Sequence, residues 1–222
     1  MKSRSIITFL FPVVYILILY CLRELNWSLY TNIAKEDSLL EYIQFSLYLF
    51  SFLVIFYSLV KSAASFNRFE KVILVICSVV FFVMSMEEIS WGQRLLTFET
   101  PEYFLEQNSQ FELNVHNLKP IQNILHMLYV AAGIVLGVVL PASKILVKKR
   151  TLTKYFPDFR TSLYFIFVSV FYILLQHTNM NAPESIYFIK WQDQEVFELL
   201  LALGLFIGFA VKVLKISKEK SL

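Results

Sequence analysis

Apolar residues along this chain gather into six long runs: residues 6–22, 42–60, 72–86, 120–143, 161–183 and 199–211. A helix rises about 1.5 Å per residue and the hydrocarbon core of a bilayer is about 30 Å thick, so runs of this kind predict membrane-crossing helices. The pattern predicts an all-α polytopic membrane protein with about six transmembrane helices in a single embedded domain, residues 1–222. A long external loop separates spans three and four. The first run follows Lys2 and Arg4 as a secretory signal would, but it is longer than a signal core and ends at Arg23 and Glu24 without a small-residue cleavage site. It reads as a retained span.

Two of the runs are too short to cross. Residues 72–86 and 199–211 carry no charge, yet at helical rise they reach only about 22 Å and about 20 Å. The acids that bound them, Glu87 and Glu88 in one and Glu198 in the other, are therefore expected at membrane depth, with Glu195 near the edge. Ionisable groups there are expensive and mark functional sites.

Polar residues also enter the other spans at one end. Glu41, Gln44 and Tyr48 stand at i, i+3 and i+7, a single helix face, and suit an interfacial helix end. Gln122, Asn123 and His126 occupy the first two turns of span four, with His126 about 9 Å below Pro120. Gly133 and Gly137 form a small-xxx-small pair on nearly the same face, which turns His126 toward a neighbouring helix. Gln176 and His177 lie about 24 Å along span five, followed by a polar break over residues 178–183 and an aromatic anchor over 186–191. Gly204 and Gly208 make a second small pair. Glu198 lies off their face, so glycine spacing alone does not bring His126 and Glu198 together.

The loop after span three is about 25 residues long, which suits a lid or binding loop. Thr100-Pro101-Glu102 reads as a helix start with Thr100 as cap, running to about Asn108. Phe111, Leu113 and Val115 alternate with Glu112, Asn114 and His116, a pattern that predicts an extended segment over the membrane surface.

Composition excludes a soluble domain: 57% of residues are hydrophobic and 17% aromatic, with a mean hydropathy of +0.61. Cys21 and Cys77 stand in different runs and form no CxxC pair, so no disulfide framework or thiol redox motif is indicated. The net charge of +3 conceals a segregation. With the N-terminus inside, 15 of the 20 Lys and Arg fall on the inner segments, whereas 14 of the 17 acids fall on the outer ones. This predicts a multi-pass plasma membrane protein with both termini cytoplasmic, a basic inner face and an acidic outer face. No nucleic-acid partner is expected.

All three histidines, His116, His126 and His177, fall on the acidic side with Glu87, Glu88, Glu195 and Glu198. Imidazole and carboxylate serve acid–base chemistry and also hold zinc, iron or manganese. Candidate catalytic residues are Glu87, Glu88, His126 and His177; Glu198, His126 and His177 are candidate ligands for a divalent metal such as zinc. Trp91, Gln93, Arg94, His116 and Asn117 are candidate substrate contacts, Arg94 for an anionic head group. Glu87 and Glu88 point about 100° apart on a helix, so one would face a central site while the other pairs with Arg94 or a loop donor.

Glu87-Glu88 with Arg94 after it, then His126, then His177-Thr178-Asn179-Met180-Asn181, resemble in order the EExxxR, FxxxH and HxxxN elements of CAAX-type intramembrane proteases. Gly92 stands at that family's arginine position, and Gln122 stands four residues before His126. The residues together predict a membrane-embedded hydrolase or transferase acting on a lipid or lipid-linked substrate at an outward-facing Glu/His site, an intramembrane protease being a narrower version. The alternative is a non-enzymatic binding or transport module in which the same groups hold a cation, a proton or a partner protein.

Overall fold

Among the described residues six helices are long and apolar enough to cross a membrane. The computed structural model describes residues 3–35, 38–61, 66–146, 155–181 and 193–220. Among the described residues there is no strand, and a lone antiparallel bridge pairs Asn108 with Leu118.

The first helix, α1 (Ser3–Leu25), is followed by the short α2 (Trp27–Ala34), which Asn26 caps by accepting from the Leu29 amide at 3.0 Å. The second long helix, α3 (Leu39–Lys61), buries Glu41, Gln44, Tyr48, Ser51, Ile55 and Ser58. These recur at alternating steps of three and four, so the polar stripe seen in the sequence continues as one face along the whole helix. That face packs on α4 (Arg68–Glu88). A capping box starts α4: Asn67 Oδ1 accepts from the Glu70 amide at 2.8 Å and Glu70 Oε2 accepts from the Asn67 amide at 3.0 Å. The buried residues Leu74, Ser78, Phe81 and Ser85 follow the same three–four rhythm, and the next step along it is Glu88.

Beyond Glu88 the chain turns sharply. Ser90, Trp91 and Gly92 take successive φ values of 46°, 56° and 77°. Only glycine adopts this region freely, so Ser90 and Trp91 hold a costly conformation of the kind that collects at functional sites. Two short helices follow, α5 (Gln93–Leu96) and α6 (Glu102–Gln107). Pro101, not Thr100, precedes the first turn of α6, and no side chain caps it. Thr100 is used elsewhere, as described below.

The fourth span joins α7 (Lys119–Ile134), a π-helical turn at Val135–Val139 and α8 (Leu140–Leu146). The fifth is α9 (Ser162–Asn181), so the helix continues through the first part of the polar break expected over residues 178–183. A helix that has already begun keeps adding one hydrogen bond per residue, which polar side chains alone do not stop. The rest of that break and the aromatic anchor at 186–191 lie outside the described residues. The sixth span joins α10 (Gln194–Leu205), a second π-helical turn at Phe206–Ala210 and α11 (Val211–Lys220).

Helices α9 and α10 form the centre of the bundle. Three of the four glycines pack on α9: a Cβ on Gly133 would meet Ser169 Oγ at 2.1 Å and the Phe165 carbonyl oxygen at 2.5 Å, one on Gly137 would meet Ile166, and one on Gly204 would meet Phe165 Cζ at 2.9 Å, whereas Gly208 faces Thr161 and Pro157 just before that helix. The small residues thus let α7 and α10 approach opposite sides of one helix closely. His126 and Glu198 come near each other through this intermediary, which their own spacing did not reveal.

Candidate functional site

Five glutamates collect at the end of the bundle where α4 stops. Glu41 and Gln44 come from the first turns of α3, Glu87 and Glu88 from the last turn of α4, and Glu195 and Glu198 from the start of α10. Glu195, Glu198, Glu41 and Glu87 all lie within electrostatic range of Glu88. Toward the middle of the bundle the cluster is floored by Tyr48, Tyr129 and Tyr172, each within range of Glu195 and Glu198. Protein surrounds Glu88 and Glu198, yet both keep accessible surface. Both therefore border a partly open recess at this end of the bundle.

The two adjacent glutamates divide as the helix geometry allows. Glu88 continues the buried stripe of α4 into the recess and accepts no hydrogen bond from the described residues. Glu87 turns to the external loop instead. Its Oε2 accepts from the backbone amides of Val115 at 2.6 Å and His116 at 3.1 Å, and lies 3.4 Å from His116 Nδ1. Its Oε1 accepts from Trp91 Nε1 at 2.7 Å. Glu87 is therefore the fastening of the loop to the bundle.

His116 is the cationic counterpart on the loop side. Burial pushes its imidazole down, but the bond to Glu87 and the nearby charges of Glu198, Glu87 and Glu41 outweigh that and hold its pKa above the usual histidine value. Its Nε2 lies 3.0 Å from Asn117 Nδ2.

The loop is compact and not extended, which corrects the surface-strand reading. The alternation is real but inverted: Glu112 and Asn114 are buried, whereas Phe111 is 60% exposed and Val115 44%. Internal hydrogen bonds explain this. Ser90 donates to Glu112, Asn114 Nδ2 donates to Ser90 Oγ at 3.0 Å, and Asn108 Nδ2 donates to Asn114 Oδ1 at 2.8 Å. Gln93 Oε1 accepts from the Leu113 amide at 2.7 Å, while its Nε2 donates to Thr100, which passes the chain on to the Phe111 carbonyl at 2.8 Å. Polar residues form the loop's own core, and apolar ones face outward.

Of the residues the sequence singled out, Glu87, Glu88, His116 and Glu198 share this region. Gln93 and Asn117 spend their amides inside the loop, and Trp91 donates its indole N–H to Glu87. His126 is buried beside the recess, its ring 5.0 Å from that of Tyr172 and its side chain bonded to Gln194. His177 is exposed on α9 and is not among the groups that act on Glu88, His116 or Glu198. Arg94 lies on α5, with its side chain outside the described residues. Among the described residues no three His, Cys, Asp or Glu side chains meet so as to hold a metal ion. The trio Glu198, His126 and His177 does not assemble, because α9 carries His177 outward while Glu198 faces inward.

No family model, curated protein or solved structure matches this chain. Of the elements that resemble the CAAX-type proteases, the third begins at His177, which is exposed on α9.

Several members of the site escaped the sequence. Glu41, Gln44 and Tyr48 read as a satisfied helix end, although their common stripe was visible. Tyr172, which donates to Glu198, and Tyr129, stacked on it at 4.7 Å, carried no signal, because aromatic residues are abundant throughout the chain. Asp193 was missed as well. It is fully buried, pairs with Arg23 Nη1 at 2.9 Å and accepts from Tyr30 and Tyr20. This network ties α1 and α2 to the residue that precedes α10, two residues before Glu195.

Proposed function

We infer that the chain is a membrane-embedded hydrolase or transferase that works by general acid–base catalysis on a lipid or lipid-linked substrate. The observation that carries this reading is the separation of Glu88 from Glu87. One glutamate fastens the loop; the other is presented bare to a recess it shares with Glu195, Glu198 and Glu41. Carboxylates in unequal surroundings divide into proton donor and acceptor. Glu88 serves as base toward a water or hydroxyl, and Glu198, held by Tyr172, sits across the recess as its partner. His116 and the loop it belongs to cover the site. Trp91, Phe111 and Val115 turn their exposed apolar surfaces toward the membrane interface.

An amphiphilic substrate is favoured by a neighbouring groove of about 770 Å³. Leu17 and Tyr20 of α1, Phe167, Phe171 and Leu174 of α9 and Phe197 of α10 line it. Phe197 faces the groove and Glu198 the recess, so α10 places an acyl chain and a head group on adjoining sides. The basic residues at the opposite end of the bundle support an outward-facing site in the plasma membrane by the positive-inside rule. Among the described residues no three His, Cys, Asp or Glu side chains meet as a metal centre requires.

Incubating purified protein with a total lipid extract and following the species by mass spectrometry tests the reading. A lipid converted by the native chain and left unconverted by Glu88→Gln is the expected result. Equal conversion by both proteins, or uptake of a solute into liposomes without any conversion, would overturn it in favour of a binding or transport module.

A further inference from the structure

The opposite end of the bundle gathers two lysines at one oxygen. Lys144 stands in the last turn of α8 and Lys212 in the first turn of α11, and both donate to the Phe156 carbonyl, at 2.5 Å and 3.0 Å. The two ammonium groups are therefore close neighbours, and like charges so placed repel. A single carboxylate, Asp158, serves them both. Its Oδ2 accepts from Lys212 at 2.7 Å, while its Oδ1 is taken by the Arg160 amide at 3.1 Å. Among the described residues Lys144 bonds no carboxylate. An ammonium carries three N–H groups, so Lys144 keeps two for a further acceptor and Lys212 keeps one. Both side chains retain accessible surface, 21% for that of Lys212, so these donors belong to groups that a ligand can reach.

The lysines sit where the apolar spans end. The fourth span stops at Lys144 and the fifth begins at Phe159, one residue past Asp158. Phe159 is exposed there, an aromatic surface at the level of lipid head groups. Basic pockets between the ends of spans suit anionic head groups. A phosphate supplies several acceptor oxygens for the free N–H groups and the negative charge that one carboxylate leaves wanting. A choline head group would bring its own cation back against the lysines. We propose that Lys144 and Lys212 together bind a phosphate group between α8 and α11, with Asp158 holding Lys212 in position. This site is separate from the glutamate recess and does not depend on the catalytic reading.

Retention of radiolabelled dioctanoyl phosphatidic acid and dioctanoylglycerol on the full chain in a non-ionic detergent tests this, with inorganic phosphate as competitor. Phosphatidic acid should be held saturably and at least about tenfold more tightly than dioctanoylglycerol, a difference of about 1.4 kcal/mol. Lys144→Met leaves the Lys212–Asp158 pair intact and should weaken retention by about tenfold. Lys212→Gln should do the same and serves where Lys144→Met fails to fold. Lys215→Met, at an exposed position one turn further along α11, should change it by less than about twofold. Displacement by inorganic phosphate at concentrations like that of the lipid would assign the site to free phosphate, and persistence against it to a lipid head group; either agrees with the proposal. Equal retention of the two lipids overturns it. So does retention that survives both lysine variants, or that falls as far in Lys215→Met as in Lys144→Met, since diffuse surface charge then accounts for it.

Discussion

Glu87 and His116 show how a single ion pair ties a loop to a membrane bundle. The carboxylate receives two backbone amides, an indole N–H and an imidazole, so its removal frees residues 115 and 116 together. The pH dependence follows from His116. Its folded-state pKa is raised, so the cation's contribution to stability is fully present below the ordinary histidine value near 6.5 and is lost as pH rises through the folded value. Amide hydrogen exchange at Val115 and His116, corrected for the intrinsic pH effect, should accelerate across that window. His116→Ala should exchange fast at every pH and show no such step; a step that survives in this variant would mean that another group titrates.

Among the elements, α9 is clasped by two helices of similar construction. Each carries a small-xxx-small glycine pair and a π-helical turn containing the second glycine, Gly137 in one and Gly208 in the other. A π turn adds one residue to a helical coil and lets a helix re-register against its neighbour. The close approach is the part a substitution can probe. Gly133→Ala would drive a Cβ into Ser169 Oγ and the Phe165 backbone, and overpacking of this kind costs about 1–3 kcal/mol. Gly92→Ala instead strains a backbone at φ 77° with only an ordinary contact to Leu96 Cδ1 at 3.9 Å, which costs about 1–2 kcal/mol. Thermal unfolding in detergent should therefore show Gly133→Ala as the less stable of the two. The reverse order would count against the α7–α9 contact.

For the molecule as a whole, the Arg23–Asp193 pair closes the bundle. It joins the end of α1 to the residue before α10, across 170 positions of sequence. Both side chains are buried, so the pair is costly to form and more costly to break: removing one partner strands the other charge for about 3–5 kcal/mol. Arg23→Met should lower the unfolding temperature sharply and, because Asp193 sits two residues before Glu195, disturb the glutamate cluster as well. Adding Asp193→Asn should recover part of the loss. A single variant as stable as the native chain would show that the network carries no weight. At the opposite end Lys212 plays a similar part, bonding Asp158 at 2.7 Å and the Phe156 carbonyl at 3.0 Å. There the Asp158 carboxyl, raised by burial, is held below its usual pKa by the neighbouring lysine.

Spans, their number and the concentration of acids and histidines at one end were all legible in the chain, because crossing a hydrocarbon layer imposes a length and a composition that local sequence must satisfy. The shortfall of residues 72–86 likewise exposed Glu87 and Glu88. Which of the two faces inward was left open by their 100° separation, and packing against α3 decided it. The inverted loop, the displacement of His177 and the union of Gln44 with Glu195 across 151 positions depend on which helices become neighbours. Hydrophobic periodicity states that a face is buried, whereas the partner that buries it is chosen by the glycines of α7 and α10, the Arg23–Asp193 pair and the fit of side chains between helices.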